Sequence, residues 1–119
     1  MSDEITLAPD AFALGDCNEV WWPVTVSKPA DGGPVEVQIE LRYRLMDTDQ
    51  AKAMRAMDDE QAHEEILDRI TDWRGVLGRD GSPLPFSRAN LAALMKLPYV
   101  GTSAGVGLYQ ASRGAPVKN

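Results

Sequence analysis

The chain is poor in the residues that build reactive centres. Among its 119 residues there is one cysteine, Cys17, and one histidine, His63. A lone cysteine closes no internal disulfide. One Cys and one His complete a metal site only with carboxylates, and none stands at a recognised ligand spacing. His63 sits beside Glu64 and Glu65, and no nucleophile is placed for it to activate. A dyad with Cys17 lacks the cationic setting that lowers a thiol pKa. Asp80-Gly81 has neither the alternating oxygen ligands nor the closing Glu of a calcium loop. The tract from Gly101 to Gly107 lacks the Lys and Ser/Thr of a phosphate loop. The expectation is a protein that is not an enzyme, without cofactor or metal.

Positive charge is scarce as well. Twelve Lys and Arg against eighteen Asp and Glu leave a net charge of −6, with no basic run. Nucleic acid and anionic membranes are therefore poor partners. No apolar run approaches the ~20 residues of a membrane span, and Met1 is followed by an acidic stretch instead of a signal region. These features read as cytosolic. An apolar content of 44% with 25% charged residues is that of a folded globular chain, and the length suits one domain over 1–119.

What is present is periodicity. Residues 1–18 read as a loosely ordered arm in which Ile5 to Leu7 can add a short strand. Val20, Trp22, Val24 and Val26 alternate as a strand, with Pro23 favouring an edge. Lys28 to Pro34 is turn chemistry, and Val35 to Leu45 alternates strictly apolar with polar. The span 20–45 therefore predicts an antiparallel hairpin, whose apolar face needs cover.

Residues 47–112 read as helical. Asp47 with Gln50 and Asp58 with Gln61 resemble capping boxes. The first opens a short helix over Ala51 to Met57. The second opens the main amphipathic helix, in which Ala62, Ile66, Leu67, Ile70, Trp73 and Leu77 recur at helical spacing. Gly75 and Gly78 fray its end, Arg79 to Ser82 turns, and Pro83 and Pro85 hold the chain extended. Ser87 caps a further helix, with Phe86 and Leu91 as a hydrophobic staple and Pro98 as its break. Val100, Ala104, Leu108 and Ala111 share one face of a last segment whose glycines permit a helix only if it packs on something. Residues 113–119 form a tail. The fold class expected is α+β: an N-terminal antiparallel β-hairpin or small sheet followed by three to four α-helices.

Adjacent Trp21 and Trp22 point to opposite faces of a strand, so only one joins the domain's own apolar face. The other meets solvent, the N-terminal arm or a partner.

Trp73 and Gly75, Asp80-Gly81-x-Pro83, Pro85-Phe86-Ser87, Asn90-Leu91-Ala92-x-Leu94 and Pro98 together resemble the tail assembly chaperones of long-tailed bacteriophages and prophages. Gly114-Ala115 and Lys118-Asn119 resemble the ending of that group. The resemblance covers roughly the last 50 residues and is less specific before them. It implies an assembly factor in the host bacterial cytoplasm, absent from the mature virion. Such a factor holds the tape measure protein until tail tube subunits polymerise, and a longer frameshifted form recruits the tail tube protein.

A helical partner docks in an apolar groove, for which Trp73, Phe86, Leu91, Leu94 and Tyr99 are candidates beside Trp21 and Trp22. Taken singly, each of the five groove residues is more often core than interface. The alternative is a structural tail component or a general interaction module that forms a homo-oligomer through an open strand edge.

Overall fold

The computed structural model describes residues 18–115. The Ile5 to Leu7 strand, Cys17 and the last four residues lie outside the described residues. The order is β1 (Glu19–Lys28), β2 (Val35–Arg44), α1 (Thr48–Arg55), α2 (Asp59–Arg69), β3 (Ile70–Arg74), α3 (Arg88–Met95) and α4 (Pro98–Arg113). The fold is α+β, a three-stranded antiparallel sheet with four helices.

The alternating patterns act as expected. β1 and β2 pair from Glu19↔Arg44 to Lys28↔Val35, and the Leu45 N–H extends the ladder to the Asn18 carbonyl at 2.7 Å. Val24, Val26, Ile39, Leu41 and Tyr43 are buried on the inner face, where α4 crosses β1 and β2. Pro23 stands in an outer strand, where a missing donor is tolerated. Both capping boxes form: the Asp47 carboxylate accepts from the Gln50 N–H at 2.8 Å, and Asp58 does the same for Gln61 at 2.8 Å. The first helix starts three residues earlier than its apolar pattern suggested.

The main helix is shorter than its period. It ends at Arg69, and Ile70–Arg74 is the third strand, paired with β2 from Glu40↔Arg74 to Tyr43↔Ile70. A bulge at this point lets Thr71 stand unmatched, so Ile70 and Trp73 both turn inward, where they are 4% and 6% exposed. A three-residue spacing normally marks a helix; the bulge makes it serve a strand. Two β-branched residues at the junction and an otherwise open β2 edge favour the extended form. Gly75, at φ +85°, then turns the chain away beside Ile39 instead of fraying a helix.

Arg69 fastens this junction. Its guanidinium is buried, donates to Glu65 at 2.7 Å and reaches the carbonyls of Arg44 and Leu45 at 3.2 and 3.0 Å. The last helical turn is thereby tied to the end of β2.

The glycine-rich segment is helical because it packs. Pro98 occupies the first turn of α4, where its absent N–H costs nothing. Val100, Ala104, Gly107, Leu108 and Ala111 face inward. The fully buried Tyr43 donates its hydroxyl to the Ala104 carbonyl at 2.7 Å, and burial raises its pKa well above the ordinary phenol value. A Cβ at Gly107 would lie 2.6 Å from that hydroxyl and 3.0 Å from a Val24 methyl.

Gly107→Ala is expected to destabilise by about 1–3 kcal/mol, outweighing the helix propensity gained. Gly105→Ala, whose new methyl meets only the Ile66 tip at 3.3 Å, is expected to be neutral or stabilising. In a Tyr43→Phe background the Gly107→Ala penalty shrinks, which a double-mutant cycle by urea unfolding reads directly. Equal penalties in both backgrounds contradict the contact. Tyr43 contributes its stability in full below the unfolded phenol pKa, about pH 10, and loses it progressively above. The Phe variant lacks that alkaline component.

Candidate functional site

The segment from Ile70 to Pro98 folds as a strand, a narrow loop and a capped helix. Past Gly75 the chain doubles back: the Leu84 N–H donates to Val76 at 2.9 Å, Leu77 bridges Pro83, and the Gly78 N–H donates to Ser82 at 2.8 Å. Asp80 accepts from the Ser82 hydroxyl at 2.7 Å and backbone N–H at 3.0 Å at the loop tip. Those bonds hold its pKa below the usual carboxylate value. Ser87 caps α3 by accepting from the Asn90 N–H at 3.0 Å, and the Asn90 amide donates to the Pro85 carbonyl at 2.9 Å. The residues that carry the resemblance thus build one local unit.

The aromatic side chains of that unit pack inward. The Trp73 indole donates to the Leu84 carbonyl at 2.8 Å and meets Phe86 edge to face, with ring centroids 5.2 Å apart. Leu91 is wholly buried, and Phe86, Leu94 and Tyr99 pack half-buried against the same core. Of the five candidates for an apolar groove, Trp73 and Leu91 are part of the core, and Phe86, Leu94 and Tyr99 pack against it with part of their surface exposed.

The two neighbouring tryptophans separate as alternation demands. Trp22 lies half-buried on the inner face, and its indole N–H is buried without a hydrogen-bond partner among the described residues. Trp21 lies on the outer face, opposite Arg42, with the Arg74 guanidinium 3.8 Å above its ring. Ion pairs of Arg42 with Glu19 and Arg74 with Glu40, at 3.4 and 3.6 Å, run across the same face. They are solvent-screened and contribute little, so this face reads as a solvated surface.

Leu77 and Leu97 of this unit are exposed at 60% and 40%, and the other exposed large apolar residues lie elsewhere. Every residue from Ser27 to Gln38 is exposed, so the hairpin reaches past the helices that cover its base. Val35 and Val37 there are 53% and 39% exposed on the strand face that, further along, forms the core. Past Arg74 the chain no longer pairs with β2, so among the described residues the strand edge from Val35 to Gln38 has no partner strand. Strict alternation in the sequence hides this, because it does not tell where the covering layer ends. Val106 is 51% exposed beside a shallow groove between α4 and β1, about 180 Å³ in volume.

Among the described residues, no three His, Cys, Asp or Glu converge on one point. His63 is half-buried on α2. No helix among the described residues is long and apolar enough to cross a membrane.

Trp73→Ala is expected to cost about 3–5 kcal/mol, and Trp21→Ala about 1 kcal/mol, the scale of a surface cation–π contact. Val35→Thr and Val37→Thr should change stability by less than about 0.5 kcal/mol. Urea unfolding of the four variants checks the order. Equal losses at Trp21 and Trp73 contradict the division into outer face and core.

Comparison of the chain with protein-family models, curated proteins and solved structures finds no match.

Proposed function

We propose that this chain is a bacteriophage tail assembly chaperone that binds the tape measure protein during tail morphogenesis. A longer frameshifted form recruits the tail tube protein. The setting is the host bacterial cytoplasm, and the protein leaves before the virion is complete. The observation that carries the reading is the run from Trp73 through Asp80-Gly81-x-Pro83, Pro85-Phe86-Ser87 and Asn90-Leu91 to Pro98. Its residues are engaged in one strand, loop and helix unit, which fits a family signature that is architectural. The interaction then falls to another surface, and the hairpin tip with Val35 and Val37 is the one we assign.

Affinity capture after co-expression with fragments of a tape measure protein from the same phage region tests this. The expected result is a co-purifying complex and a more soluble fragment. Val35→Asp with Val37→Asp should reduce capture while leaving the unfolding midpoint nearly unchanged. No complex and no gain in solubility with any fragment overturn the reading.

A structural tail component or a general oligomerising module is the second reading, favoured by the β2 edge from Val35 to Gln38, which has no partner strand among the described residues. Mass spectrometry of purified virions separates the two. Absence is expected for a chaperone, and a stoichiometric copy number supports the component.

A further inference from the structure

α1 and the last turns of α4 enclose a depression of about 220 Å³. Its floor is apolar, made by Met46, Ala51 and Tyr109, and its rim carries Arg55 and Arg113, both exposed. Apart from Arg79 at the tip of the loop after β3, the other arginines are committed. Arg42, Arg69, Arg74 and Arg88 each hold a carboxylate, and Arg44 donates to the Asp68 carbonyl. Among the described residues, no carboxylate oxygen lies within salt-bridge distance of Arg55 or Arg113. Asp47 lines the same depression; its Oδ1 caps α1, and it makes no ion pair with Arg55 or Arg113.

The geometry points to a docking site for an acidic, amphipathic segment of a partner protein. Two guanidiniums line this one depression, and a carboxylate bound there gains charge-assisted hydrogen bonds from them. The apolar floor accepts the aliphatic side chain that neighbours the carboxylate. Because the chain carries a net charge of −6, this cationic rim is a local arrangement and not part of a general positive surface. The same net charge disfavours a polyanion, whose phosphates need an extended basic stripe. The site is remote in sequence from the hairpin tip and stands whether or not the partner is a tape measure protein.

Nitrogen-15 NMR of the full chain tests it, with three probes: a short capped peptide of alternating Glu and Leu pairs, its Lys and Leu counterpart, and inorganic phosphate. The Glu peptide is expected to shift the amides of Ala51, Arg55, Tyr109 and Arg113 in a saturable way, weakening as salt rises. Arg55→Glu with Arg113→Glu, both exposed positions, should weaken binding at least about tenfold. Arg55→Lys with Arg113→Lys should retain part of it. Three results each overturn the proposal. These are no shift of those amides at millimolar Glu peptide, equal binding by the charge-reversed variant, and equal binding of the Lys peptide. Phosphate reproducing the full response at the peptide's own concentrations also overturns it, in favour of a small-anion site.

Discussion

The seat of Tyr43 against α4 is the constraint on which the other packing depends. A phenol buried in the central strand brings a hydroxyl that must find a partner, since an unpaired buried polar group is costly. The partner is a backbone carbonyl of α4, at Ala104. The ring reaches it only because position 107 has no side chain. This one contact sets how closely the helix approaches the sheet and which of its faces turns inward. The hairpin alone would be marginal in water, and the third strand and a covering helix supply what it lacks. With α4 seated, Leu41, Tyr43, Ala104 and Leu108 lie in a single core, each at most 1% exposed.

How much of this was legible depended on whether local chemistry or distant packing decides. The hairpin, the two capping boxes and the Ser87 cap are local, and the sequence states them directly. The third strand was not legible. Ile70 and Trp73 satisfy the helical spacing as well as they satisfy a bulged strand. Only the edge of β2, whose pairing residues lie 27 positions away in sequence at Tyr43↔Ile70 and 34 at Glu40↔Arg74, selects the strand. The glycine-rich segment lay between these cases. Its inward face was readable, while its helicity depended on a sheet that the sequence did not visibly assign to it. Of the candidate binding residues, the alternation rule placed Trp21 and Trp22 on opposite faces correctly. Spacing alone does not tell an apolar groove from a core, so the burial of Trp73 and Leu91 and the partial exposure of Phe86, Leu94 and Tyr99 were not legible.

The bond between Tyr43 and Ala104 spans 61 residues, and this has a consequence for synthesis. A ribosome adding about 5–20 residues per second makes the strand several seconds before it makes the helix that covers it. Through that interval the inner face of the hairpin, with Val24, Val26, Ile39 and Leu41, has no lid. The nascent chain is most exposed to misassociation at the stage when its sheet is complete and its last helix is not.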